Sequence, residues 1–119
     1  EYSCKYLGSK LVVILGHTNC GAVKAACDNF TEGHIGELVN HIRPAVLLKN
    51  DYKESEQTSK NPFFVNHVCR HNIDLQMQNT LKISPILSEM LEKKQIGMVG
   101  GIYNLDTGKV DFNMENAIF

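Results

Sequence analysis

The sequence has no surplus of either charge: 12 Lys and Arg stand against 13 Asp and Glu, a net charge of −1. That removes the basic footprint a nucleic-acid binder needs, and any acidic tail. No apolar run exceeds five residues, so no stretch reads as a membrane-spanning helix. No segment repeats. No signal peptide opens the chain, but Glu1-Tyr2-Ser3-Cys4 reads as the inside of a helix without an initiator Met, so a missing targeting segment says little. Cysteine is sparse and irregularly placed, at positions 4, 20, 27 and 69. That is not the pattern of a secreted disulfide scaffold. A reducing, cytoplasmic compartment is expected, with one cysteine as a ligand and three as small apolar residues. What is present, 43% hydrophobic and 21% charged residues in 119, is enough for one domain over residues 1–119 with a real core.

The chain is organised around Leu11-Val12-Val13-Ile14-Leu15-Gly16-His17-Thr18-Asn19-Cys20-Gly21-Ala22-Val23. Five apolar residues in a row predict a strand buried on both faces. A glycine stops it, a His and a Cys follow with two residues between them, and a second glycine opens a short helix of small residues. A metal-capable pair therefore sits where a strand turns into a helix, the end of an α/β sheet at which ligands bind.

Around this stretch the pattern predicts a helix over 1–8 stopped by Gly8, a strand over 10–15, and a short helix over 22–28. A helix over 36–48 follows, with a kink or break near Arg43 from Pro44. Residues 50–61 are polar and aperiodic, and read as a solvated loop or frayed helix end. A longer helix covers 62–82, with Asn72 and Gln76 in its apolar face. Ser84 and Pro85 supply an N-cap and a first-turn proline for a helix ending near Lys94. A second inner strand over 96–105 carries Gly100-Gly101, a mark of close backbone approach or a bulge. A turn at Asp106-Thr107-Gly108 leads to an edge strand over 109–113. The fold class is α/β: a small, mostly parallel sheet with a C-terminal antiparallel edge hairpin, flanked by helices.

Several chemistries compete for the central turn. Gly16 and Gly21 have the spacing of a phosphate-cradling loop, but Ala22-Val23 stands where Lys-Ser/Thr is required. A thiol nucleophile at Cys20 with His17 as base is conceivable. A phosphatase-type loop would want an arginine near Ala26 or Cys27. Thiolate plus imidazole is better read as a zinc set, though His-x-x-Cys supplies only two ligands. Cys27 is seven residues beyond Cys20 on one helix, about 10 Å along its axis, too far to share an ion. Cys4 can approach only through tertiary folding. Cys69 reads as packing, and His34 and His41 lack partners at ligand spacing. His67 and His71 form an i, i+4 pair able to chelate, but fall with Asp74 and Gln78 on a side that reads as a solvated face.

At this point the chain resembles the β-class carbonic anhydrases. Glu1-Tyr2, Leu7-Gly8-Ser9-Lys10 and Val12 to Ala22 are similar to that family's signature around its second and third zinc ligands. The likeness continues in His41-Ile42-Arg43-Pro44-Ala45-Val46, in Asn72-Ile73, Gln76, Leu81 and Ser84-Pro85-Ile86-Leu87, and in Val99-Gly100-Gly101-Ile102-Tyr103 with Thr107-Gly108-Lys109-Val110. The resemblance implies a partial β-carbonic anhydrase fold and Zn2+ held by His17 and Cys20. It implies reversible hydration of carbon dioxide to bicarbonate, and a homodimer or higher homo-oligomer. Thr18 and Asn19 would orient the ligands or simply build the turn. The family's remaining zinc cysteine and its Asp–Arg dyad lie in an earlier Cys-x-Asp-x-Arg motif that this sequence lacks. The chain therefore reads as an N-terminally truncated domain of low activity on its own, with no catalytic dyad and an unpaired edge beside residues 10–15. Two alternatives stay open: a degenerate, non-catalytic zinc-binding or interaction module of the same fold, and an unrelated α/β thiol enzyme using Cys20.

Overall fold

A computed structural model describes residues 1–119, which form two compact units: residues 1–16 with 73–119, and residues 17–72. The elements run α1 (Tyr2–Tyr6), β1 (Leu11–His17), α2 (Gly21–Cys27), α3 (Gly33–Val46), α4 (Pro62–Ile83), α5 (Pro85–Glu92), β2 (Gly97–Tyr103) and β3 (Val110–Ile118). β1 and α4 run through the boundary between the units. No helix is long and apolar enough to cross a membrane.

In the first unit the three strands lie in the order β1-β2-β3, with β3 antiparallel to β2. The doubly buried strand is β2, buried from Gly97 through Ile102. β1 departs from expectation. Its burial alternates along the strand, and Leu11, Val13 and Leu15 are 48%, 41% and 53% exposed. An unbroken apolar run predicts two covered faces, but one face of β1 carries no packed layer, so only Val12 and Ile14 are drawn inward.

Gly100-Gly101 serves both roles its sequence suggests. A Cβ on Gly100 would lie 2.6 Å from Ile73 Cγ2 and 3.0 Å from Met77 Sδ, so α4 presses directly on the β2 backbone. The β2–β3 register also shifts between Met98 and Gly100. Past that shift the pairing continues to Met98↔Ile118, which makes β3 longer than its short alternating stretch suggests. The hairpin turn is closed by Asn104 Oδ1, which accepts from the Asp106 and Thr107 amides, and by Gly108 at φ +70°.

The helix ends follow local chemistry. Gly8 takes φ +80° just beyond the α1 C-cap, the left-handed stop that glycine adopts without strain. Ser84 caps α5: its Oγ accepts from the Leu87 amide while donating to the Glu1 carboxylate. In the second unit α3 packs on α2 and begins three residues earlier than expected. Pro44 lies inside α3 without ending it. Only two helical residues follow it, so the single lost amide bond is tolerated. Residues 50–61 are organised rather than frayed. Asn50 Oδ1 accepts from the Tyr52 amide, Gln57 donates to the Tyr52 carbonyl, and residues 54–56 form one 3-10 turn. Asp28, just after α2, accepts from both the amide and the hydroxyl of Ser59, which holds its carboxyl below the usual range.

Gly100→Ala is expected to destabilise the chain by about 1–3 kcal/mol, the usual cost of overpacking a filled core. Denaturant unfolding of both proteins measures it. An unchanged midpoint would mean that α4 does not bear on β2.

Candidate metal centre

The central turn is built in four residues. β1 ends at His17, and α2 begins at Gly21 with Cys20 as its N-cap residue in an extended conformation. Asn19 makes the reversal at φ +56°, a left-handed conformation that Asn tolerates better than other residues with a Cβ. Its side-chain oxygen accepts from the Lys24 ammonium one helical turn on, bracing the turn against α2. Asn19 is thus a turn builder.

His17 and Cys20 both present unused donor atoms. His17 is exposed, and its Nδ1 lies 2.9 Å from the Thr18 carbonyl oxygen. With Nδ1–H donating there, Nε2 carries the free lone pair, the arrangement that orients a metal-binding imidazole. Thr18 therefore orients the histidine through its backbone. Cys20 is half-buried, and its side chain makes no capping bond to the α2 amides.

Cys69, on α4, is only 4% exposed, as its apolar-face position predicts. Its Sγ lies 3.6 Å from the His17 carbonyl oxygen, so this packing residue also supports the end of β1 within the second unit. Sequence spacing carried no signal for that contact across 52 positions. Burial, then the neighbouring Cys20, raise the Cys69 thiol above its ordinary pKa. Burial and the adjacent Asp28 push Cys27 from 9.0 up to about 11. Both are neutral thiols at neutral pH, unlike a metal-ligating thiolate. Cys4 is buried in α1 of the first unit. All four cysteines are free thiols.

No three His, Cys, Asp or Glu side chains are grouped to hold a metal ion. The donor chemistry of His17 Nε2 and Cys20 Sγ nevertheless fits zinc. The residues present thus offer two donor atoms of suitable chemistry, one of them on an oriented imidazole. A groove of about 380 Å³ opens beside the turn, lined by Gly21, Ala22 and Ala25 of α2 with Phe30, Ile35 and Leu38. The small residues of α2 thus form one of its walls.

A family model for carbonic anhydrase matches residues 1–110. Among similar proteins, a carbonic anhydrase of Pseudomonas aeruginosa is 26% identical over 115 residues, which cover 93% of this chain and 50% of that one. A carbonic anhydrase of Mycolicibacterium smegmatis is 29% identical over 116 residues, covering 93% and 52%. Among solved structures, the Coccomyxa β-carbonic anhydrase in complex with acetazolamide superposes with a TM-score of 0.70 at 23% identity, covering 93% of this chain and 50% of that one. The fold and the turn thus define a partial β-carbonic anhydrase architecture. The chain belongs to the β-carbonic anhydrase family, and it spans about half the length of the curated relatives it matches. Membership removes the reading of an unrelated thiol enzyme.

Two predictions follow from this geometry. Asn19→Gly is expected to leave stability nearly unchanged, whereas Asn19→Val costs about 1–2 kcal/mol because a β-branched residue is strained at positive φ; thermal unfolding separates the two. Iodoacetamide at pH 8 is expected to modify Cys20 well before the buried thiols, as read by peptide mass mapping. Cys27 ionises later in the folded chain than in the unfolded one, so its contribution to stability is full below pH 9.0 and is lost as pH rises from there towards about 11. Modification of Cys27 or Cys69 as fast as Cys20 would contradict this account.

Proposed function

We propose that His17 and Cys20 are two protein ligands of a catalytic zinc ion in a carbonic anhydrase. The protein containing this chain then interconverts carbon dioxide and bicarbonate. The observation that supports this most directly is the His17 Nδ1 contact with the Thr18 carbonyl, which frees Nε2 in a residue three positions before an uncapped thiol. Family membership supplies the reaction class.

The roles of this chain's residues follow from their positions. His17 Nε2 and Cys20 Sγ would hold the ion, Thr18 keeps the imidazole in the ligating tautomer, and Asn19 sets the turn that carries both. Cys69 supports the His17 backbone from α4. Zinc, when bound, supplies the Lewis acidity that makes water a nucleophile near neutral pH. The third protein ligand and the acid–arginine pair that the family likeness implies have no match among these 119 residues. The two-ligand set is therefore expected to bind zinc weakly. Self-association into a dimer or larger oligomer is part of this reading. It is supported by the half-exposed Leu11, Val13 and Leu15 on one face of β1, since apolar strand faces of this kind seek a cover.

Zinc retention by the purified chain is the test, measured by competition with a chromophoric chelator. His17→Ala and Cys20→Ser should each weaken zinc binding by about tenfold or more, since losing a ligand costs at least as much as losing a partner that orients one. Stopped-flow hydration of carbon dioxide by the 119-residue chain should stay near the uncatalysed rate. A chain that retains no zinc would favour a non-catalytic module of the same fold. Full family-like hydration activity would show that the missing ligand is not needed.

A further inference from the structure

On α4, the sequence places His67 and His71 on a solvated face. The structure does not. Both are half-buried, and their ring centroids stand 4.3 Å apart with the planes inclined at 73°. Residues four apart on a helix share a face, so the two rings meet by construction. Tyr52 packs edge-on against His67 at 5.5 Å and Phe64 stacks on it at 6.3 Å. Tyr52 is in turn fixed by its bonds to Asn50 and Gln57. These contacts lie wholly within the second unit.

His67 Nε2 is buried and has no hydrogen-bond partner. A buried polar atom left unpaired is costly, and an unseen ion or water is one of its standing explanations. The neutral ring is the form present at neutral pH: burial holds the His67 pKa below its ordinary value, His71 adds to this, and Asp51 opposes it. A neutral imidazole offers one nitrogen lone pair, the donor that borderline divalent metals take in preference to Mg2+ or Ca2+.

We infer that His67 and His71 form a second, two-imidazole site for a borderline divalent transition metal such as Zn2+, bound through His67 Nε2 and a ring nitrogen of His71. No third protein side chain joins them, so water completes the coordination. Helical His pairs four residues apart are a proven geometry for shared metal binding. The site is independent of the His17–Cys20 turn, because neither of its ligands belongs to that turn. Tyr52 and Phe64 hold one ligand ring in place, which lowers the entropy lost on binding. Occupation would satisfy the one buried side-chain atom that the fold leaves unpaired.

The test is Zn2+ titration of the 15N-labelled chain, read through the imidazole resonances of its five histidines. The His67 and His71 signals should shift together and saturate at one midpoint. His71→Ala should raise the midpoint at His67 by about tenfold or more, and His67→Phe, which keeps a ring against Tyr52 and Phe64, should do the same at His71. His67 and His71 signals that stay still in saturating zinc would overturn the inference. So would two midpoints indifferent to the loss of the other ring. The His17 signal reports the other site separately, so either reading can fail while the other stands.

Discussion

The left-handed backbone at Asn19 is the constraint on which the chemistry of this chain depends. A strand and a helix must be joined within three residues for His17 and Cys20 to share one turn. An αR or extended residue at Asn19 would carry the chain onward. The positive φ folds it back, and Lys24 holds the side chain that permits it. The other two supports around this point are directed at the backbone. Thr18 uses its carbonyl to orient His17, and Cys69 reaches the His17 carbonyl from another helix. Supports of that kind survive side-chain variation, which suits a turn whose two donor side chains must stay free for a ligand.

A different economy governs the sheet. β2 is buried on both faces because its glycines let α4 and β3 come close. Ile73 and Met77 fill the space above Gly100, and Phe112 and Val110 lie where a Gly101 Cβ would sit. The strand richest in branched residues, β1, is instead half-exposed along one face. Apolar content measures how much burial a strand can accept, and neighbouring elements decide how much it receives. Leu11, Val13 and Leu15 carry apolar surface that burial would stabilise at roughly 25 cal/mol per Å². That is a standing incentive for a cover.

Much of this was legible in the sequence because it rests on local rules. Gly8 as a helix stop, Ser84 and Pro85 as a helix start, and the 106–108 turn each depend on two or three neighbouring residues. The His-x-x-Cys turn was legible for the same reason, and family likeness extended it into a β-carbonic anhydrase fold. What escaped the sequence was set by partners far along the chain. The support of His17 by Cys69, the tie from Ser59 to Asp28 and the burial of the His67 ring by Tyr52 each join positions without local pattern. The i, i+4 spacing placed His67 correctly beside His71. It could not know that Tyr52, in the polar loop at 50–61, packs on the His67 ring and leaves that side of α4 half-buried.

The two proposed metal sites are complementary in what they lack. At the turn, His17 has its tautomer set by a carbonyl and a thiol for a companion, but it is exposed and short of a third protein ligand. On α4, His67 is held between rings with a buried, unpaired nitrogen, but its companion is a second imidazole and no thiolate is present. Thiolate donors favour zinc more strongly than imidazole does. The His17–Cys20 turn should therefore fill first as zinc rises, with His67–His71 following. A third protein ligand brought to the turn would widen the interval between the two, because it would strengthen the first site and leave the second unchanged.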